Sequence, residues 1–396
     1  MKIILVTDWF SEKMGYSENC LAEALALEGH DVHLVTSTAN VYCDDPSYDE
    51  IYRSFLGPPF VEPGTKNINN FTLHRLPILL RWKRLHIFKH LIKTIREIKP
   101  DIVQCYEATS SISLQLALTQ PFLKFKLFTA IHTVASVYPA YYHYNKFNLL
   151  RRLRLRLFDT LLGKIISRFT TICYGATIDA SEIGSRFFGI PSEKIKTDPL
   201  GVDTDAFNPV NNNIAYKEKR ERMREKYGFK MNDIVCIYTG RFTIDKNPLI
   251  LARAISILAS KGEPFKGLFL GYGPQSEEII KCKGCQVKPF VIYNQLPNYY
   301  RMADIGIWPR QESTSMIDAA ASGVPIVVSD RMHAKERVDG NGLTYNENSL
   351  NDLVGVLGIL SDSAIRKKLG DQGRMKMKKN FSWESIANKR IIDYQN

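Results

Sequence analysis

Cysteine is scarce: seven residues in a chain of 396. The number is odd and the positions are scattered, which argues against a disulfide framework and fits reduced, mostly buried thiols. Cys282 and Cys285 form one Cys-x-x-Cys pair, and the nearest other cysteine is Cys236 far upstream. A zinc ribbon needs a second pair, so the pair reads as a turn beside a helix end. Long apolar runs are also missing. Spanning a bilayer takes about 20 apolar residues, and the longest candidate, around 112–142, is broken by Gln, Lys and His. The opening run Met1–Thr7 is too short for a signal-peptide core and meets Asp8 at once. These absences predict a soluble, cytoplasmic chain. Low complexity is absent too. With 44% hydrophobic and 24% charged residues the composition is globular, and the length suits two or three domains.

Acidic residues are depleted in one window. Residues 81–170 hold 16 Lys and Arg but 4 Asp and Glu, so this stretch carries the whole formal excess of +12. Such a region implies an anionic partner: phosphate groups, nucleic acid or an acidic membrane surface. The aromatic–basic interleaving of a nucleic-acid module is absent, and no nucleic acid is expected.

Apolar strands alternate with helix-period stretches. Strands are read at 2–7, 31–36, 101–105, 126–131 and 170–174, with a helix through 20–27 and another near 84–98 that stops at Pro100. Residues 42–70 read as a long polar loop. The alternation restarts after Asp198-Pro199-Leu200-Gly201, with strands at 234–238, 265–270, 304–308 and 324–329 and helices at 247–261 and about 314–322. Continuous apolar strands separated by helices predict an α/β chain with buried parallel sheets. The boundaries are 1–199 for the first domain, 200–212 for a hinge and 213–381 for the second domain. The last helix-period stretch, 382–396, stays with the second half or crosses back. Two tandem parallel-sheet domains present ligand-facing edges at their strand C-termini and a cleft between them.

Five groups at those edges are candidates for chemistry. Gly15 precedes a helix, where it is either a turn glycine or a point at which a phosphate approaches backbone N–H groups. There is no GxGxxG triplet, which weighs against a nicotinamide cofactor. Gly240-Arg241, with Lys246 after it, follows a strand and is either a pyrophosphate clamp or a pair of solvated cations. Ser313 or Thr314 caps a helix rich in small residues, and the N–H groups through Ser315 face an anion or serve only the cap. Glu312 and Asp318 aim two acids at a polyol, or belong to that capped helix. His132 ends a strand at the cleft edge, as a ligand contact or a satisfied structural histidine. Asp203-Thr204-Asp205 resembles a metal motif, but no further ligand cluster accompanies it and it reads as turn chemistry.

Together these spacings resemble the family-four retaining glycosyltransferases of GT-B architecture along nearly the whole chain. The match runs through Gly15-Tyr16-Ser17-Glu18, Glu28-Gly29-His30, Pro199-Leu200-Gly201-Val202-Asp203, Gly240-Arg241 with Lys246-Asn247, Gly271-Tyr272-Gly273-Pro274 and Ser322-Gly323-Val324-Pro325. Ser382-Trp383-Glu384 with Tyr394 resembles the family's terminal helix, which usually crosses back to the first domain. The resemblance implies two Rossmann-like domains facing a central cleft, the first binding the acceptor and the second the nucleotide-sugar. It implies transfer of a sugar to an acceptor hydroxyl with retention of configuration. Arg241 and Lys246 would then hold the donor diphosphate, Gly15 would admit a phosphate, His132 and Glu312 would contact the sugar, and Asp318 the ribose. Gly240 and the Ser313–Ser315 backbone would line the donor. Neither a metal nor another cofactor is expected.

One departure stands out. The family pattern is Glu, seven residues, Glu. Here Arg310 occupies the first place, and Glu312 precedes Asp318 by only six positions. This keeps two other readings open: a catalytically silent glycosyltransferase-like subunit supporting an active partner, and a nucleotide-sugar epimerase. In the basic window, Leu149, Leu153, Leu157, Leu161 and Ile165 recur every four residues among arginines. Such a helix is either a domain helix with a core stripe or an amphipathic element that docks on an anionic membrane. Trp82, Lys83, Arg84, Ile87, Lys89 and Lys93 on the earlier helix add to it. Docking would place the protein on the cytoplasmic face, with a saccharide or lipid-linked acceptor in polysaccharide or glycolipid assembly.

Overall fold

A computed structural model describes residues 1–82, 85–210 and 213–396. The chain divides into two compact units, Met1–Gly201 with Trp383–Asn396, and Val202–Ser382. The last helix, Trp383–Gln395, therefore belongs to unit 1.

Unit 1 contains β1 (Lys2–Val6), β2 (Asp31–Ser37), β3 (Gly64–Ile68), β4 (Phe71–Leu76), β5 (Ile78–Trp82), β6 (Leu85–Phe88), β7 (Ile102–Cys105), β8 (Lys126–Ile131), β9 (Thr170–Gly175) and β10 (Ile195–Thr197). Eight of these form one sheet in the order β10-β9-β8-β7-β1-β2-β4-β3, and β5 with β6 forms a separate hairpin. Only the edge strand β3 runs antiparallel, against β4. The central strands are mostly apolar because helices cover both faces: Ile3, Leu5, Val103 and Leu127 are fully buried. The last helix packs Trp383, Ile386, Ala387 and Tyr394 into a core against this sheet.

Unit 2 contains β11 (Ile234–Thr239), β12 (Phe265–Leu270), β13 (Cys285–Lys288), β14 (Ile305–Trp308), β15 (Ile326–Ser329) and β16 (Gly342–Tyr345). Their order is β13-β12-β11-β14-β15-β16, all parallel. Asp304 anchors the entry to β14. It accepts the Val235 N–H at 2.7 Å and an ion pair from Arg220 at 2.7 Å, and Arg224 joins it from the same helix. Each sheet has one point where the chain reverses its direction of winding, between β1 and β7 in unit 1 and between β11 and β14 in unit 2. Loops splay apart at such a point and leave a crevice beyond the strand C-termini.

Three expectations change. The helix near 84–98 starts only at Leu91; before it lie β5 and β6, with Ile78, Leu80, Arg81 and Trp82 opposite Phe88, Ile87, His86 and Leu85. The alternation of half-buried Leu85 and Ile87 with buried His86 and Phe88 is a strand period, not a helical one. Trp82, Ile87 and Lys89 thus lie on or beside this hairpin, Lys93 lies on the helix, and Lys83 and Arg84 fall outside the described residues. The 42–70 loop holds two short helices, Tyr48–Ile51 and Arg53–Leu56, and the strand β3. An exposed polar edge strand carries no apolar signal, so composition conceals it. The thiols are also less buried than expected: Cys105, Cys173 and Cys236 are buried, and the other four are half-buried. Cys285 N–H donates to the Cys282 carbonyl at 3.2 Å, closing the turn read there.

Candidate active site

In unit 2 the winding reversal brings together the loops after β11 and β14. Gly240 follows β11 and Gly271 follows β12, both at positive φ. The two loops are stitched by Gly240 N–H to the Leu270 carbonyl at 3.0 Å and Phe242 N–H to the Tyr272 carbonyl at 2.9 Å. A Cβ on Gly271 would lie 1.9 Å from the Gly240 carbonyl oxygen, so only glycine permits this approach. The stitching fixes the backbone of Arg241, whose carbonyl also accepts the Tyr238 hydroxyl at 2.9 Å, while its side chain is exposed.

Lys246 lies five residues on, half-buried. Loss of hydration, then the Arg241 charge, push its ammonium below the usual lysine range, and Asp245 and Glu312 counteract that. The Glu312 charge acts on Lys246 because the two loops converge at the reversal. Arg310 ties them directly, donating from Nη1 to the Ile244 carbonyl at 3.2 Å and facing Glu347 at 3.7 Å. Glu312 Oε1 accepts the His333 N–H at 3.1 Å. Two cations and a carboxylate thus share one strand edge, a set able to hold a diphosphate and reach a sugar hydroxyl.

The helix after β14 is Ser315–Ala321. Ser313, not Thr314, meets its first turn: Ser313 Oγ accepts the Ser315 N–H at 3.3 Å, and Thr314 makes no cap. Asp318 is buried in this helix. Burial, then the Asp203 charge, raise its carboxyl well above the ordinary range. Asp203 itself accepts the Asp205 and Ala206 N–H groups at 3.0 and 2.9 Å, as the turn reading requires.

In unit 1 Gly15 lies two residues before the helix Ser17–Leu27 in the loop after β1. An acid already sits at that helix start. Glu18 is buried, takes the Ser17 hydroxyl at 3.1 Å and its own N–H, and burial pushes it up to about 7. His132 follows β8, with the Tyr106 ring edge-on at 5.7 Å. Burial, then the Arg390 charge, push the imidazole down to about 4, leaving it neutral at pH 7. Tyr106 follows β7, and its hydroxyl donates to the Ser17 carbonyl at 3.2 Å, joining the glycine loop to the His132 edge. Within unit 2 the fold gathers Gly240, Arg241, Lys246 and Glu312, with Asp318 on the adjoining helix; Gly15 and His132 lie at the strand C-termini of unit 1. Glu18, Tyr106 and Arg390 were missed. Glu18 had a signal, an acid directly behind the glycine loop; Arg390 had none, being remote in sequence.

Two parallel-sheet units with these edges define a glycosyltransferase of GT-B architecture. Residues 20–206 match the model of glycosyltransferase family 4 and residues 233–361 that of the glycosyl transferases group 1. The chain belongs to this family. It is 24% identical over 412 aligned positions to a GDP-mannose-dependent alpha-(1-6)-phosphatidylinositol monomannoside mannosyltransferase of Mycobacterium tuberculosis, covering 98% of this chain and 96% of that protein. It is 27% identical to spore coat protein SA of Bacillus subtilis over 54% of this chain, spanning 61% of that relative. Among solved structures, Anabaena HepE in complex with UDP superimposes with a TM-score of 0.70 at 13% identity, covering 100% of both chains.

Proposed function

We propose that the protein moves a sugar from a nucleotide-sugar to an acceptor hydroxyl with retention of configuration, in polysaccharide or glycolipid assembly. The observation that carries this is the convergence of Arg241, Lys246 and Glu312 at the winding reversal of unit 2. As the sugar–phosphate bond breaks, negative charge builds on the departing diphosphate. Arg241 and Lys246, both on the loop after β11, supply two cations to meet that charge. This assigns the leaving-group role to side chains, without metal or other cofactor. Asp318, buried in the helix after β14, takes the ribose. Glu312 takes a donor-sugar hydroxyl, with Gly240 and the Ser313–Ser315 backbone around the donor. Gly15 gives a phosphate room, and His132, neutral at pH 7, exchanges hydrogen bonds with the sugar without adding a cation. The relative whose name includes GDP-mannose and a phosphatidylinositol monomannoside, and the structural neighbour solved in complex with UDP, are in keeping with these substrate classes. The basic window supports a place at the cytoplasmic face of a membrane, with a lipid-linked acceptor.

The test is a panel of UDP-, GDP-, ADP- and dTDP-sugars, read by binding and by slow donor hydrolysis, with Arg241→Ala as control. The anomeric configuration of the product is read by NMR. One donor bound, hydrolysed and lost in the variant is the expected result; inversion at the anomeric carbon refutes retention. A second reading, the silent subunit, draws on Arg310 standing where the family has an acid. It predicts no turnover with any donor in the presence of saccharide and lipid-linked acceptors.

A further inference from the structure

Residues Leu149–Phe169 form one continuous helix with a π-type turn over Arg156–Leu161. Its inward side is Asp159, Gly163, Ile166 and Ser167, with Leu155 and Leu162 against the domain cores. The four-residue leucine stripe is not core. Leu149 is 81% exposed, and Leu153, Leu157 and Leu161 each about half. Arg154, Arg156 and Lys164 are exposed among them, while the helix's one acid, Asp159, is turned inward and accepts the Tyr138 hydroxyl at 3.2 Å.

The same property recurs on the elements beside it. The helix Ser111–Leu123 packs on both Leu162–Phe169 and β6. It carries Leu118 and Phe122 one turn apart, and Phe122 is 82% exposed. On the hairpin, β5 exposes Leu79, Leu80 and Trp82. Three neighbouring elements of one unit thus present large apolar side chains to water, more than isolated exposed residues account for.

We propose that unit 1 docks on a bilayer containing anionic phospholipid by inserting apolar side chains of these three elements among the lipid chains, with Arg154, Arg156 and Lys164 at the level of the phosphates. This rests on the membrane-face reading above and deepens it from attraction at the surface to insertion. The chemistry selects a lipid surface over a second copy of the chain. Two copies of this face would bring like charges together, which disfavours self-association. Long cationic side chains between leucines suit an interface whose polar layer is anionic and whose interior is hydrocarbon.

The test uses the full chain, without donor or acceptor, so its outcome is independent of the transfer reaction. Sedimentation with phosphatidylcholine vesicles is compared with vesicles containing phosphatidylglycerol. Chain-brominated lipid then reports depth through Trp82; Trp308 and Trp383 are buried, and Trp82→Phe separates the Trp82 signal from that of the exposed Trp9. The expected result is binding at least about tenfold tighter to the anionic vesicles, partly resistant to high salt, with Trp82 quenched. Leu153→Glu with Leu157→Glu, both at exposed positions and therefore compatible with the fold, lowers binding about tenfold or more. Binding that high salt abolishes, with Trp82 unquenched, overturns insertion and leaves electrostatic docking. No binding to either vesicle overturns both. Concentration-dependent dimerisation that the leucine variant abolishes, without vesicle binding, assigns the face to a second copy and overturns the proposal.

Discussion

Arg390 and Asp198 form an ion pair at 2.8 Å that is buried on both sides, joining the last helix to the strand-edge region of unit 1. The contact is an ion pair rather than an aligned hydrogen bond. Around it, Tyr394 donates to Gln104 at 2.6 Å, Tyr174 donates to Asp393 at 3.1 Å and Lys196 meets Asp393 at 2.7 Å. Removing one partner of a buried pair strands the other charge, at a cost of about 3–5 kcal/mol. We expect Arg390→Leu and Asp198→Asn each to destabilise by that order, and the double variant to lose clearly less than the sum. Denaturant unfolding through a double-mutant cycle measures this; additive losses would show that the pair is not coupled.

The same arginine bears on His132. Its charge is the second cause, after burial, of the imidazole's depression to about 4. Replacing Arg390 by leucine removes that repulsion, so the His132 resonance should titrate at higher pH than in the unmodified protein. NMR of the histidine side chain reads it, and an unmoved titration would mean that the cation does not act on the ring. The sign for stability follows from the depressed value. The folded state binds fewer protons than the unfolded one between about 4 and 6.5, so this group's contribution is present above that window and is lost as pH falls through it.

Glu18 has the opposite sign. Its carboxyl is raised from 4.5 to about 7 in the fold, so the folded state holds a proton that the unfolded state has released. Stability from this group is full below the unfolded value and declines as pH rises toward 7. The shift corresponds to roughly 3 kcal/mol above pH 7. Glu18→Gln, which keeps the shape and removes the charge, should raise the melting temperature at pH 8 and leave it nearly unchanged at pH 4. Equal effects at both pH values would refute a titrating role. The result also bears on Gly15, because an ionised Glu18 at the start of that helix competes with any phosphate brought there.

Much of this was legible in the residues. The apolar strands Ile3–Val6, Ile102–Cys105 and Val235–Tyr238 could only be buried, and a loop with Arg241 and Lys246 after one of them had to lie at a strand C-terminus. Which loop would face which was not legible, because strand order is set by long-range packing. The pairing of β11 with β14, which brings Glu312 to Lys246, is invisible to spacing. The leucine stripe at 149–161 left two readings open for a related reason: periodicity shows that a face is apolar but not whether anything covers it. The hairpin β5–β6 was hidden because a four-residue strand and one helical turn of Leu85–Phe88 have similar composition.

Glu312 supports the charge of Lys246, which burial and Arg241 depress. Removing that support lowers the lysine further, so its proton is lost at lower pH. If protonated Lys246 neutralises the leaving diphosphate, the alkaline limb of the rate profile reports its titration. Glu312→Gln should therefore move that limb to lower pH, whatever it does to sugar binding. Lys246→Met should remove the limb and lower kcat by about two to three orders of magnitude, the usual loss when one fixed donor to a developing anion is deleted. A profile in Glu312→Gln that keeps its limb while losing only donor affinity would confine Glu312 to sugar recognition and break its link to Lys246.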